Sequence, residues 1–219
     1  MLRMPKTWLA TALTSVIFLS SLILVPFGCA QSSKPAGGDA TKAKASEPSN
    51  PSQLVTAKTA LGSMYMSAFK WSRDVMLLGL APKEIPGIEN GAGKAAMWEA
   101  TYASPSQHAY HVYSYAIAAH PPDIYKGVTV GKATPWAGVT REVMAVDSSA
   151  FKVDSDAAYT AAATDAAAWL KKNPGAKLSR LQLGNSYHYP TPVWYVMWGD
   201  AKSGYIAIVS ATTGIVLKK

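Results

Sequence analysis

Val193-Trp-Tyr-Val-Met-Trp198, Gly204-Tyr-Ile-Ala-Ile-Val-Ser210 and Ala211-Thr-Thr-Gly-Ile-Val-Leu217 close the chain, and their reading decides the fold. The first two are short runs of aromatic and β-branched residues, the kind that suit a pleated, half-buried surface. Gly199-Asp-Ala-Lys-Ser203 between them has the composition of a turn, as does Ala211-Thr-Thr-Gly214 before the last apolar residues. Working backwards, Lys177–Tyr187 reads as a further strand, and Asn173-Pro-Gly175 marks a stop before it. The segment ahead of that stop, Asp156–Lys172, reads as a helix. Asp154 or Ser155 supplies a cap oxygen for the unpaired N–H groups of its first turn. Asp156 complements the positive end of the helix, and Lys171 and Lys172 complement the negative end.

The same order, a helix and then strands, occurs earlier. Leu54, Lys58, Leu61, Tyr65, Ala68, Trp71 and Val75 recur at helical steps and predict a helix over about Leu54–Leu78. Leu80-Ala-Pro82 should end it, since a proline disfavours helix in the residue before it. A Gly- and Pro-rich loop over Lys83–Lys94 follows. Strands are expected at Ala95–Ala103, His108–Ala119 and Tyr125–Val130, with a short one near Glu142–Val146 in otherwise irregular chain. The expected class is α+β, with tandem helix-plus-antiparallel-sheet units over residues 54–153 and 154–219. The sequence leaves open whether they share one continuous sheet with helices on one face.

Residues 154–219 resemble a PepSY domain, a small module of secreted and membrane-bound bacterial proteins. The features that carry the resemblance are Lys171-Lys-Asn-Pro-Gly175, Val193-Trp-Tyr-Val196 and the closing Gly204–Leu217 stretch. The sequence departs from that family at Ser210, where an acidic residue is usual. Residues 54–131 look like a diverged copy, on element order and on Gly127-Val-Thr-Val130. The resemblance implies a non-catalytic binding or inhibitory module whose partner is another envelope protein, a peptidase by analogy.

The N-terminus explains an envelope location. Arg3 and Lys6 precede an apolar run from Trp8 to Val25, the layout of a secretory signal. Pro26-Phe-Gly-Cys29 resembles the lipobox of bacterial lipoproteins, in which a small residue precedes the cysteine whose thiol accepts the lipid. Pro26 stands where that family prefers leucine. Residues 1–28 are therefore expected to be a signal peptide, and Cys29, the only cysteine of the 219 residues, the site of acylation. Acyl chains on Cys29 would hold the protein to the membrane, facing the periplasm. Ala30 lacks the acidic character associated with inner-membrane retention, which favours the outer membrane by the same resemblance. Residues 29–53, rich in Ser, Pro, Ala, Gly and Lys, read as the lipidated cysteine and a flexible linker.

A net charge of +8 falls to +6 once Arg3 and Lys6 leave with the signal, and the remaining cations are scattered. Neither a basic face nor a nucleic-acid motif is visible, so no nucleic-acid partner is expected. Ser67-Ala-Phe-Lys70 matches the Ser-x-x-Lys pattern of penicillin-binding enzymes, but it falls inside a helix rather than at its start. Gly91-Ala-Gly-Lys94 lacks the first glycine and the hydroxyl residue of a phosphate loop. His108, His111, His120 and His188 lack metal-ligand spacing, and Glu99, Asp147, Asp154 and Asp165 stand singly. No enzyme, cofactor or metal is expected.

Aromatic residues remain. Six tryptophans and eleven tyrosines lie outside the signal, most on predicted strands. Trp194 and Trp198 share one strand face while Tyr195 and Met197 share the other, so one pair looks away from the helix. Tyr113, Tyr115, Trp194 and Trp198 are the candidate partner contacts, because rings with a polar tip favour recognition surfaces. The expected function is a membrane-anchored, non-catalytic binding or inhibitory lipoprotein. The alternatives are a structural scaffold of the envelope and a cell-wall enzyme.

Overall fold

Two helical segments, each followed by a run of antiparallel strands, account for the architecture. The computed structural model describes residues 54–217. Helix α1 spans Ala57–Trp71 and precedes strands β1 (Met76–Lys83), β2 (Met97–Ser104), β3 (Ala109–Ala116), β4 (Gly127–Val130) and β5 (Thr134–Pro135). Helix α2 (Ser155–Asp165) and the short α3 (Ala167–Lys172) precede β6 (Leu178–Gly184), β7 (Val193–Trp198), β8 (Tyr205–Ser210) and β9 (Val216–Leu217). All nine strands form one antiparallel sheet in the order β4-β3-β2-β1-β6-β7-β8-β9, with β5 beside β4 on the free side of β3. The chain is α+β, mostly sheet, and among the described residues no helix is long and apolar enough to cross a membrane.

The sheet is palindromic about a narrow seam. Strands β1 and β6 pair only at Gly79 with Gly184 and Leu80 with Leu183. On either side of it the same details recur. A bulge interrupts β1 against β2 between Leu77 and Gly79, and another interrupts β6 against β7 between Leu178 and Arg180. Leu77 faces Tyr102 across its ladder, and Leu178 faces Trp198. Trp98 on β2 donates from Nε1 to the carbonyl of Val55 at 3.0 Å, two residues before α1. Trp194 on β7 donates to the carbonyl of Val153 at 2.9 Å, two residues before α2. The two indoles meet edge to face, with centroids 6.5 Å apart.

Both helices cover the same face. Ala57, Ala60, Met64 and Ala68 of α1 join Ser155, Ala158, Ala162 and Ala166 along α2 in full burial. The apolar members share one cluster with Trp98, Ala100, Tyr102, Tyr113, Leu183, Trp194, Val196 and Trp198 from the sheet. Small residues on the inward stripe leave the volume between helix and sheet to be filled from the strands, so the bulk of the core comes from the sheet's own rings. The expected α1 stripe was therefore displaced by one helical position. Lys58 and Tyr65 point outward, while Ala57, Ala60 and Met64 point inward.

The helix starts are joined to each other. Asp154 caps α2 as expected, its Oδ1 accepting from the Ser155 N–H at 2.7 Å. The same oxygen accepts from the Lys58 N–H at 3.0 Å, and Ser155 Oγ accepts from the Ala57 N–H at 2.9 Å. One cap thus serves two helices. Gly93 packs against this junction at φ +77°, where a Cβ would sit 2.3 Å from the Ser155 carbonyl oxygen. Only glycine adopts that conformation at that distance.

Three expectations need correction. Helix α1 stops at Trp71, and Met76–Lys83, expected as helix end and loop, is strand β1. An apolar run such as Val75–Leu80 suits a buried strand as well as a helix, and Ser72 is already extended at φ −148°. The helix expected over Asp156–Lys172 breaks at Ala166 into α2 and α3. The strand expected near Glu142–Val146 amounts to single bridges, Val146 to Leu77 and Met144 to Asn185.

Candidate functional site

The candidate contact residues fall on the wrong side of the sheet for contact. Trp194 is fully buried, Tyr113 is 1% exposed and Trp198 is 3% exposed. Tyr115 is half-buried and packs on the same core. All four sit on the helix-covered face: Tyr115 lies opposite Trp98, Tyr113 opposite Ala100, and Trp198 packs its ring 5.8 Å from Tyr159 of α2. Tyr113, Trp194 and Trp198 are thus core residues and not contact residues. The reason is geometric. Helices lined with alanine leave space over the strands, and large rings fill it. Burial also pushes the Tyr102 and Tyr113 hydroxyls above the ordinary tyrosine range. Cys29 lies outside the described residues.

The opposite pair on β7 faces away from the helices. Tyr195 and Met197 are half-exposed on the helix-free face, beside Ile206 on β8 and with Gln182 and Arg180 on β6. Across the seam the same face carries Thr101, Tyr110 and Val112. The Arg180 guanidinium hydrogen-bonds Gln182 Oε1, with Nε at 2.9 Å, and lies 5.3 Å from the centroid of the Tyr195 ring. Tyr189 meets Tyr195 edge on at 6.1 Å. Lys83 and Glu99 form an ion pair of 3.2 Å near the end of β1. This surface mixes rings, aliphatics and hydrogen-bonding groups, and strand alternation guarantees it once the tryptophans turn inward.

A polar cluster that the sequence did not reveal lies where α1 gives way to β1. Asp74 Oδ1 accepts from Ser104 Oγ at 2.5 Å and Ser72 Oγ at 2.6 Å, and Oδ2 accepts from the Ser106 N–H at 2.8 Å. Hydrogen bonds from Ser104, then Ser72 and Ser106, hold the Asp74 carboxyl well below the usual carboxylate range. The cluster ties the α1–β1 turn to the β2–β3 turn. Its members, Ser72 to Ser106, lie up to 34 positions apart in sequence, so no local motif could announce it.

The other chemical candidates separate in space. Ser67 lies within α1, and Gly91–Lys94 is a small loop closed on itself by hydrogen bonds between Gly91 and Lys94. His108 occupies the β2–β3 turn at φ +48°. His111 contacts the Gly131 carbonyl through Nδ1 at 2.7 Å and the Trp71 ring at 4.4 Å. Among the described residues no three histidine, cysteine or acidic side chains gather as a metal site. Asp147 binds the Ser149 N–H and hydroxyl within its own turn, and Asp165 accepts from the Tyr205 hydroxyl at 2.7 Å.

No protein-family model and no curated protein matches the chain. One solved structure does: a candidate lipoprotein, CD1622 of Clostridium difficile 630, aligns over 73% of this chain and 90% of its own, with 9% identity and a TM-score of 0.43. That is a loose likeness, below the level from which fold or function transfers.

Proposed function

We propose that the protein is a lipid-anchored lipoprotein of the bacterial envelope, built from two PepSY-like units, that binds another envelope protein without catalysis. The anchor reading rests on the signal-like N-terminus and the single cysteine at position 29. The two-unit reading, with residues 54–153 and 154–219 as copies, draws support from the matched bulges, the matched indole-to-carbonyl bonds and the palindromic strand order. Peptidases are the partner class that the PepSY resemblance suggests.

The helix-free sheet face is the observation that carries the binding reading. One face of the sheet is sealed by helices, and the other bears Tyr195, Met197, Ile206, Tyr110 and Val112, all half-exposed. Half-exposed sheet faces of this mixed apolar and polar composition suit protein partners better than small substrates. A photo-crosslinker at Tyr195 in cells producing the full chain tests this. One stoichiometric adduct is expected, absent when the crosslinker sits on exposed Ser179. A diffuse ladder would point to a scaffold, and no adduct would sink the binding reading. Acyl labelling of wild type against Cys29→Ser tests the anchor separately, with loss of label required.

A further inference from the structure

Helix α2 shows what the fold asks of a helix in this position, and α1 departs from it. Placing Val55 on Val153 and Trp71 on Trp169 superimposes the two buried stripes residue for residue. Outward positions then compare directly. Lys58, Gly62, Tyr65, Met66, Phe69 and Lys70 of α1 correspond to Asp156, Thr160, Ala163, Thr164, Ala167 and Ala168. Small and polar residues suffice on the second helix. On the first, Tyr65 and Met66 are 43% and 57% exposed. Tyr65 stacks on Phe69 at 5.7 Å, and the Arg73 guanidinium lies 4.3 Å from the centroid of the Phe69 ring.

The flanks of this patch are basic. Helix α1 contains no acidic residue. Lys70 and Arg73 are exposed and have no carboxylate within ion-pair distance among the described residues. Asp74 is the nearest acid in sequence, and its oxygens are taken by Ser72, Ser104 and Ser106. Lys58 is engaged elsewhere, donating to the Lys152 carbonyl. A tyrosine, a phenylalanine and a methionine bordered by cations is the composition of a helix that rests in a bilayer interface.

Chain length indicates which surface lies within reach. Only 24 residues separate Cys29 from Leu54, and α1 is the first helix after them. Twenty-four residues reach at most about 80 Å between their ends, whatever their conformation. Tethering over such distances keeps a weak site at about millimolar effective concentration. We propose that the outward face of α1, centred on Tyr65, Met66 and Phe69 with Lys70 and Arg73, docks the domain on the anionic surface of the bilayer that holds its anchor. The inference rests on the lipid-anchor reading. It leaves the helix-free sheet face turned away from the membrane, free for a partner.

Acylated full-length protein carrying Met66→Cys or Thr164→Cys, labelled with an environment-sensitive fluorophore, tests the proposal in vesicles with headgroup spin-labelled lipid. Several-fold stronger quenching at position 66 than at 164 is expected in phosphatidylglycerol-containing vesicles. In pure phosphatidylcholine, or after Lys70→Glu with Arg73→Glu, the difference should vanish. Unchanged circular dichroism would show that these surface variants still fold. Equal quenching at both positions in protein that floats with the vesicles overturns the docking and leaves the anchor standing. Protein that fails to float overturns the anchor reading, and the docking with it. Shielding of position 66 that rises with protein concentration without lipid assigns the face to a second copy. Shielding seen only with added envelope proteins assigns it to a protein partner. Either result replaces the lipid proposal.

Discussion

Strands β1–β4 with α1, and strands β6–β9 with α2 and α3, are built to one plan but loaded differently. Each half hangs a buried indole from the carbonyl that precedes its helix, and each bends its first strand at the same rung. The first half adds aromatic bulk over this frame: Tyr65 against Tyr102, Tyr102 against Tyr113, and Trp71 against His111. The second half keeps a smaller set, with Ala207 where the first has Tyr113 and Tyr205 where it has His111. What recurs on both sides is what the backbone requires. What differs is the side-chain load, inside the core as well as on the outward faces.

The largest test of this comparison removes the recurring element from each half. Trp98→Ala and Trp194→Ala should each lose about 3–5 kcal/mol of stability in urea unfolding, as large aromatic deletions in a core do. Because the rings touch, the double variant should show a coupling of about 0.5–1.5 kcal/mol. A loss confined to one half, with no coupling, would mean that the matched geometry carries unmatched load.

A smaller effect should expose the asymmetry at the helix starts. Asp154 serves α1 and α2 together, whereas Thr56, at the same place before α1, makes no cap bond. Asp154→Ala should cost about 2 kcal/mol, the upper end for a cap. Thr56→Ala should stay within about 0.5 kcal/mol. Equal losses would show that the shared cap does not hold in solution.

The smallest expected effect is a pH dependence specific to the first half. Asp74 has its folded pKa depressed by hydrogen bonds from Ser104, Ser72 and Ser106. A depressed carboxylate contributes stability that is full above its unfolded pKa, about 3.9, and is lost as pH falls towards the folded value. Wild type should therefore exceed Asp74→Asn in melting temperature at neutral pH, and the gap should close as pH falls below about 4. A gap that persists unchanged into acid would assign the cluster's contribution to hydrogen-bond geometry alone.

The second half was more legible in sequence than the first, for local reasons. Val193–Trp198 reads as a strand because its aromatic and β-branched run ends at the Gly199–Ser203 turn, and Asp154 announces its helix one residue early. In the first half, Val75–Leu80 carries no such punctuation. Its strand identity comes from β2 and from the Asp74 serine cluster, both distant in sequence. Which face of β7 turns inward is illegible in the sequence for a related reason. Alternation showed that Trp194 and Tyr195 oppose each other, but which one turns inward depends on how much space the helices leave. The alanine stripe that sets this lies up to 40 residues away in the chain. The outward patch on α1 is hidden for the same reason, since helical spacing alone places Tyr65 on one stripe with the buried Ala68.

The seam between β1 and β6 has a consequence for synthesis. Strands β1 to β5 are contiguous in the chain, so the first half can assemble from local hairpins while β6 is still being made. During that interval β1 is an unpaired edge, open to neighbouring nascent chains. Its bulge at Leu77–Gly79 and its Pro82 blunt that edge, and its two-pair junction with β6 asks little of it later. The weakness at the centre of the finished sheet thus serves as protection before the sheet is finished.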